Sequence, residues 1–505
     1  MSKYLVTIGL ETHVHLKTRT KLWCGCSTAF GAEANANTCP GCLGFPGTLP
    51  VVNREAVRLA VTGGMMLGCE ISRYSTFDRK SYFYPDIPKN YQITQSLRPF
   101  CVGGGVTIKS SGDIPVAVGG KDAAATLPSA TGMPPLPMSK FIRIHHIHLE
   151  EDAAKINHYA RFSGVDFNRG CMPMIEIVTE PDMSSAEEAL AYLQTLRQIL
   201  IYAGVSDCDM EKGQMRSDVN VSIRPEGQEK LGTRIEIKNM NTFKGIYDAI
   251  QYESARQVHA LTHGGRLVQE TRRWDPDAGE TQSMRTKENA HDYRYFPDPD
   301  LVPVVLSEEQ IEAWRAALPE LPSARRERMV REYGIPEYDA GVLADEQANA
   351  DFFEAAARLC GQGKAVSNWF MTEIMRLLSE TGKAISECAF TPEALAELVT
   401  LVGGRVINGT IAKELVAEIF EKGGMPGALV EARGLGQVSD TATLEAFVDK
   451  VIAENPKSVE SYKAGKTAAA GFIVGQVMKL SQGKADPQIV GKLVSEKLAV
   501  FKQEE

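Results

Sequence analysis

The chain has 505 residues, of which 43% are hydrophobic and 24% charged, and its formal net charge is −9. These values are ordinary for a globular protein and exclude a collagen-like, a disordered or a generally polyanion-binding chain. The length predicts more than one hydrophobic core. The sequence has no long apolar run, signal peptide or transit peptide, so we expect a cytoplasmic protein without a membrane span. Ten cysteines in that compartment indicate thiols or metal ligands rather than disulfides.

The first three hundred residues mix strand and helix patterns. Short apolar or alternating runs predict strands at 3–10, 141–152, 218–224 and 233–238. Amphipathic runs predict helices at 53–68, 184–204 and 243–263, the first with Asn53 as its N-cap. Residues rich in Gly, Pro, Cys or mixed aromatics predict loops at 24–50 and 77–95, and a hairpin with an elaborated loop at 102–139.

From residue 307 onward the pattern is helical, with Gly403–Gly404 as a candidate hinge. The sequence therefore predicts an α+β fold with a mixed or antiparallel sheet, followed by two all-helical domains. We place the domains at residues 1–297, 298–403 and 404–505.

Four cysteines form two close pairs in the first predicted loop, at Cys24, Cys26, Cys39 and Cys42. Four thiolates at this spacing suit tetrahedral zinc, and a site with no open position is structural. The alternative is four loop thiols without a metal.

Acidic and histidine residues recur on or near the predicted strands and in MIEIVTEPD, at Glu11, His13, Glu150, Glu151, Glu176, Glu180, Asp218 and Glu236. Glu11 and His13 are two residues apart, so both face the same side of a strand. Carboxylates on neighbouring strands can converge on Mg²⁺, which binds hard oxygen ligands and bridges ATP phosphates. The alternative is a set of solvated strand faces.

Basic and aromatic residues share short segments, around Arg79, Lys80, Tyr82, Tyr84, Lys89 and Tyr91, around Arg272, Arg273 and Trp274, and around Arg285, Lys287, Arg294 and Tyr295. Guanidinium groups bind phosphate, and aromatic rings stack on bases. The alternative is exposed loop charge above packed rings. Neither a P-loop nor a Rossmann glycine motif is present. No Ser/Cys–His–Asp arrangement has support in the sequence, and most histidines stand beside acids, so the pattern favours metal-assisted phosphoryl chemistry over covalent hydrolysis.

Long motifs across the chain resemble the B-subunit family of the tRNA-dependent amidotransferases. They include IGLETHVHL (8–16), CPGCLGFPGTLPVVN (39–53), DRKSYFYPDIPKNYQITQ (78–95), HLEEDAAK (148–155), DFNRGCMPMIEIVTEPDM (166–183), EKGQMRSDVNVSIRP (211–225), TRIEIKNMNTF (233–243) and HDYRYFPDPDL (291–301). The related archaeal family carries an extra inserted domain for which residues 300–505 leave no room, so the resemblance favours the B-subunit family.

This resemblance implies a cradle domain similar in core to glutamine synthetase. Such a domain uses ATP and Mg²⁺ to phosphorylate the side-chain carboxylate of Glu-tRNA(Gln) or Asp-tRNA(Asn), which ammonia then amidates. Glutamine hydrolysis by an amidase-type A subunit supplies the ammonia, a small C subunit braces the pair, and the helical modules hold the tRNA.

The family motifs also imply roles for individual residues. Matching positions for the Mg²⁺ site and catalysis are Glu11, His13, Glu150, Glu151, Asp218 and Glu236. Candidate phosphate contacts are Lys80, Arg216 and Lys238, and the four cysteines match a zinc motif found in many members. Departures from the family pattern are His15, Asn90 and Ala154.

Two other functions remain open from sequence. The chain could be a non-catalytic, zinc-stabilised tRNA-binding scaffold, given its basic aromatic loops and the lysine-rich stretch from Lys457 to Lys502. A free-standing ligase acting on small amino acids is a third possibility, but it leaves the helical modules without a purpose.

Overall fold

A twelve-residue strand, β1 (Tyr4–His15), lies in the middle of a large sheet. It extends beyond the strand predicted at 3–10. Residues as far as His15 pair with one neighbouring strand, and residues as far as Val14 pair with the other. The computed structural model describes residues 4–109, 139–238, 240–286, 293–435, 441–463, 468–481, 485 and 487–500. The loop predicted within 102–139 lies largely outside this description, at residues 110–138.

The large sheet has ten strands in the described part of the chain. Its remaining members are β2 (Glu70–Ile71), β6 (Cys101–Val102), β7 (Gly105–Lys109), β8 (Ser139–Glu151), β11 (Pro173–Thr179), β12 (Met215–Pro225), β13 (Ile235–Lys238), β14 (Glu270–Asp275) and β15 (Glu280–Thr286). The order is β15-β14-β13-β12-β1-β11-β8-β6-β2, with β7 also on β8. Only the β13–β14 pairing is parallel among these described strands. The predicted mixed or antiparallel sheet is therefore present.

One face of the sheet carries the hydrophobic core, because side chains alternate between faces along each strand. Ile8, Leu10 and Val14 of β1 are at most 1% exposed. They join one core with helices α1 (Arg54–Met66), α2 (Ala186–Tyr202) and α3 (Phe243–Thr262). Each fully buried aliphatic side chain contributes about 1.5–3 kcal/mol. The opposite face is left to polar residues.

Side chains cap the starts of two helices, and the first is the cap predicted at Asn53. The Asn53 side chain accepts hydrogen bonds from the backbone amides of Glu55 and Ala56 at the start of α1. Ser185 caps α2 by accepting from the amide of Glu188. These caps satisfy amides that the first helical turn leaves unpaired.

The predicted loop at 77–95 is wrong in part. Within it, β4 (Asp78–Ser81) and β5 (Tyr91–Thr94) form a small sheet with β16 (Phe296–Pro297). The third strand comes from about two hundred residues further along the chain, so local sequence carries no sign of it. Two more small sheets pair β9 (Lys155–His158) with β10 (Ser163–Asp166), and β3 (Tyr74–Ser75) with β17 (Val304–Val305).

The rear of the chain is helical, as predicted. Its helices are α4 (Glu308–Ala316), α5 (Pro322–Tyr333), α6 (Glu337–Asp345), α7 (Gln347–Cys360), α8 (Gly363–Trp369), α9 (Met375–Thr381), α10 (Pro392–Gly403), α11 (Gly409–Lys422), α12 (Pro426–Arg433), α13 (Thr441–Glu454), α14 (Pro456–Lys463), α15 (Ala468–Leu480) and α16 (Pro487–Val500).

The chain divides into two compact units, Met1–Ala324 and Arg325–Glu505. The second unit contains two hydrophobic cores, one built from residues between Met329 and Val430 and the other from residues between Leu444 and Leu498. Within the described residues, no helix has the length and apolar character needed to cross a membrane.

Candidate active site

The polar face of the large sheet collects most of the acidic and histidine residues singled out in the sequence. Glu11 of β1 lies directly opposite Asp218 of β12, and His13 lies opposite Glu176 of β11. Residues opposite one another in a sheet project to the same face. Strand pairing thus brings together groups that are more than 150 residues apart in the chain.

Three carboxylates, which we call the acidic cluster, meet beside the centre of β1. Ligand atoms of Glu11, Asp218 and Glu236 all lie within 4.8 Å of one another. Asn220 donates a hydrogen bond of 2.9 Å to Glu11. Lys238 pairs with Asp218, and its Nζ lies 3.4 Å from Oε1 of Glu236.

The acidic cluster carries more negative charge than its neighbours balance. Burial raises the pKa of Glu11, and the charges of Glu176, Glu236 and Asp218 raise it further. Burial disfavours the ammonium form of Lys238, but Asp218 and Glu236 outweigh that effect and raise its pKa. One lysine shared by three close carboxylates leaves a place for a cation, and hard oxygen ligands suit Mg²⁺.

A second group lies on the same face and is called here the histidine cluster. It comprises His13, Glu150 and Glu176, whose ligand atoms also lie within 4.8 Å of one another. The Nε2 atom of His13 is 3.3 Å from Oε2 of Glu176 and 3.7 Å from Oε1 of Glu150. His148 adds contacts of 3.4 Å to both glutamates.

Charge is partly balanced within the histidine cluster. Burial opposes protonation of His148, but Glu176 and Glu150 outweigh it and raise its pKa to about 10. Burial likewise disfavours ionised Glu176, yet His148 and His13 hold its pKa well below the ordinary value. The Nδ1 atom of His13 is buried without a hydrogen-bond partner in the described part of the chain. A ring nitrogen left this way fits a site completed by a metal or substrate.

Glu151 lies outside both clusters. It follows Glu150 on β8, so its side chain points to the opposite face. There it is 1% exposed and accepts a 2.7 Å hydrogen bond from Nζ of Lys89. The backbone amide of Ile93 also donates to Glu151.

The three basic candidates differ in what they contact. Lys80 lies over the Tyr293 ring at 4.8 Å, and although burial opposes its charge, Tyr295, Glu150 and Glu176 raise its pKa. Arg216 donates two hydrogen bonds, of 3.0 and 2.8 Å, to Asp152. Lys238 thus contacts the acidic cluster directly, the charges of Glu150 and Glu176 act on Lys80, and Arg216 is hydrogen-bonded to Asp152, which belongs to neither cluster.

Several of the other basic and aromatic residues have partners within the fold. Arg79 pairs with Asp298 at 2.9 Å, and Trp274 is 5% exposed. Tyr82 stacks on Tyr84, with ring centroids 5.1 Å apart. Lys287 lies outside the described residues.

The four cysteines of the first loop converge as their spacing suggested. The sulfur atoms of Cys24, Cys26, Cys39 and Cys42 lie within 4.8 Å of one another. The backbone amide of Cys39 donates to the sulfur of Cys42 at 3.1 Å. A hydrogen bond with Cys24 is the main cause that lowers the pKa of Cys42 to about 5. Four thiols in one small volume fit a tetrahedral soft-metal site.

Sequence patterns alone do not link Glu176 to its histidine partners, His13 and His148. Glu176 is one acid among several candidates, and His148 is one histidine of a run. Their link is the register, in which Glu176 lies opposite both His13 of β1 and His148 of β8. The available signal is the alternation His146, His148, Glu150 in HHIHLEE, together with Glu176 between the apolar residues of MIEIVTE.

Comparison with known proteins defines the class. Residues 6–312, which include both clusters and the cysteines, match the GatB/GatE catalytic domain, and residues 351–498 match the GatB domain. The large sheet and both clusters therefore lie within a segment that matches the catalytic domain of this amidotransferase family.

Curated relatives specify the family further. The chain is 50% identical over 498 residues to the B subunit of the aspartyl/glutamyl-tRNA(Asn/Gln) amidotransferase of Caldanaerobacter subterraneus, covering 98% of this chain and 100% of that protein. It is 49% identical to the same component from a Thermoanaerobacter species, with the same coverage, and 47% identical to that of Carboxydothermus hydrogenoformans, covering 99% and 100%. The chain belongs to the GatB family, as its motifs predicted.

Proposed function

We propose that this chain activates the side-chain carboxylate of Glu-tRNA(Gln), Asp-tRNA(Asn) or both with ATP, and that ammonia then forms the amide at the same site. The observation that carries the proposal is the pair of carboxylate-rich clusters on one polar sheet face. The relatives' name, with its two amino acids and two tRNAs, supports the substrate class.

A carboxylate is a poor electrophile, and phosphorylation supplies a leaving group. Mg²⁺, when bound, neutralises charge on the transferring phosphates. Glu11, Asp218 and Glu236 would hold one such ion, and His13, Glu150 and Glu176 form a second donor set. Lys80 and Lys238 would stabilise negative charge that develops on the phosphoryl group. Glu151 is assigned no direct contact with the metal, because it faces Lys89.

The remaining assignments belong to the same proposal. An amidase-type A subunit would release ammonia from glutamine, and a small C subunit would complete the heterotrimer. The helical modules, at 298–403 and 404–505, would hold the tRNA, and the cradle at 1–297 would resemble the core of glutamine synthetase. The cysteines would bind structural zinc. Because the proposed substrate is an aminoacylated tRNA, we expect the protein to act in the cytoplasm.

ATP turnover by the complex of this chain with its A and C subunits tests the proposal. We expect turnover only when misacylated tRNA is present, and we expect Glu11→Gln and Glu236→Gln to abolish it while the complex still assembles. Glu309→Gln, on the exposed surface of α4, is the matched control. Normal turnover in both cluster variants would leave only the scaffold function.

A further inference from the structure

A lysine is buried completely beside the cysteine cluster. Lys21 is 0% exposed. Its Nζ donates to the carbonyl oxygen of Phe167 at 2.9 Å and lies 3.9 Å from the sulfur of Cys42. Its backbone amide donates to the carbonyl of Cys26, which fixes the lysine to the same loop.

A buried ammonium group needs a negative charge nearby, and among the described residues no carboxylate provides it for Lys21. Within the part of the chain that the structure describes, no Asp or Glu oxygen lies within 4.0 Å of its Nζ. Burial of a charge without a counter-charge costs several kcal/mol. One neutral carbonyl does not offset that cost, so the thiolates are the remaining source of negative charge.

We propose that Lys21 is the counter-ion of an anionic metal–tetrathiolate centre formed by Cys24, Cys26, Cys39 and Cys42. A zinc ion bound by four thiolates leaves two negative charges in excess, and the ammonium lies against one of the four sulfurs. Lys21 thus acts on the metal through Cys42 and is a positioning residue. The inference rests on the proposed zinc site and is independent of the proposed amidation chemistry.

The test separates the charge of Lys21 from its packing. Lys21→Gln keeps a hydrogen-bond donor for Phe167 and removes the charge, and Lys21→Arg keeps the charge. Lys21→Met replaces Lys21→Gln should the buried amide prevent folding. Lys17→Met is the matched control, because Lys17 lies on the same segment with a side chain 60% exposed and pairs with Asp207.

The first measurement is the release of zinc from the full-length chain to EDTA. Loss of an outer partner typically weakens metal binding by about 10- to 100-fold. We therefore expect Lys21→Gln to release zinc faster by about that factor, and Lys17→Met and Lys21→Arg to stay close to wild type.

The second measurement is the reduction potential of the site with iron in place of zinc, which responds to the charge of Lys21. With iron in place of zinc, a tetrathiolate site gains one negative charge on reduction. Loss of the ammonium should therefore lower the reduction potential in Lys21→Gln, by about 59 mV for each tenfold change in the ferrous-to-ferric affinity ratio. A role in packing alone predicts no such shift.

Faster zinc release together with a lower potential supports the counter-ion. The inference falls if either quantity matches wild type in a folded Lys21→Gln or Lys21→Met chain. A wild-type chain that contains no zinc overturns the metal assignment and this inference together, and leaves the amidation proposal intact.

Discussion

Buried carboxylates occur in both compact units, but their charge is balanced differently. In the helical unit, Glu354 of α7 is 2% exposed and accepts hydrogen bonds of 2.8 Å from both Arg325 and Arg328, with Arg358 as a third partner. Burial disfavours its ionised form, yet Arg328 and Arg325 outweigh that effect and lower its pKa. In the sheet unit, by contrast, the acidic cluster shares Lys238 among three carboxylates.

The difference separates charge that maintains the fold from charge available for function. A carboxylate surrounded by the protein's own cations has no capacity left for a ligand, and its removal leaves those cations uncompensated. A carboxylate whose pKa is raised by like charges is held at a cost in stability, which is common at functional sites. Replacing a balanced carboxylate should therefore lower stability, and replacing one of the acidic cluster should lower activity.

The largest expected effect is on activity, at Glu11. Glu11→Gln should lower amidation by about a thousandfold or more, equivalent to about 4 kcal/mol of barrier, because one oxygen ligand for the cation is lost. Its folded state should be as stable as wild type, since a repelled charge is removed. Single-turnover conversion and urea denaturation measure the two properties. Reduced stability together with normal conversion would show that Glu11 maintains the fold and does not act in amidation.

The opposite result is expected at Glu354. Glu354→Gln should lower the unfolding free energy of the helical unit by about 3 kcal/mol, because three arginines lose their shared partner. Urea denaturation followed by circular dichroism measures this change. Glu380→Gln is the control, since Glu380 is a 57% exposed partner of Arg376 on α9. Equal midpoints for the two variants would contradict the prediction.

A balanced carboxylate within the sheet unit sharpens the comparison. Asp152 is 3% exposed and bound by Arg216 and His15. Asp152→Asn should destabilise the sheet unit by about 2 kcal/mol, through loss of charge-assisted hydrogen bonds. Thermal denaturation would show it, with Asp207→Asn, a 52% exposed partner of Lys17, as control. If the unfolding free energies of the Asp152→Asn and Asp207→Asn variants differ by less than about 0.5 kcal/mol, Asp152 belongs with the unbalanced carboxylates.

The smallest expected effect is a pH dependence at Glu354. Its pKa is lowered in the folded chain from an ordinary value of 4.5, so its contribution is complete above that pH and is lost as pH falls through the folded-state pKa. The stability difference between wild type and Glu354→Gln should therefore shrink below pH 4.5, by up to about 1.4 kcal/mol per pH unit. Denaturation from about pH 3 to 7 measures the trend. A constant difference would show that Glu354 acts without its charge.

The features that could be predicted from the sequence are those that depend on residues close together in the chain. The Asn53 cap of α1, the shared face of Glu11 and His13, and the four-cysteine loop all follow from spacing within a short segment. Long-range pairing was not predictable in the same way. The strand at 78–81 pairs with Phe296–Pro297 as well as with the strand at 91–94, and Glu176 joins His13 only through the β1–β11 register.

The alternation of side chains along a strand explains why the HLEED motif does not by itself identify the site residues. Glu150 and Glu151 are adjacent in HLEED, and a motif match treats them alike. A strand sends them to opposite faces, so Glu150 enters the histidine cluster while Glu151 meets Lys89. The roles of these residues at the level of single atoms stay predictions until the variants are measured.

Ammonium-supported conversion of Glu-tRNA(Gln) to Gln-tRNA(Gln), with ATP and Mg²⁺, tests the central claim most directly. Ammonium bypasses the glutaminase, so the assay reports the chemistry assigned to this chain. Conversion by the wild-type complex, and none by Glu11→Gln or Glu236→Gln complexes whose glutaminase remains active, is the predicted result. Normal conversion by both variants would contradict the account and place the activation step elsewhere.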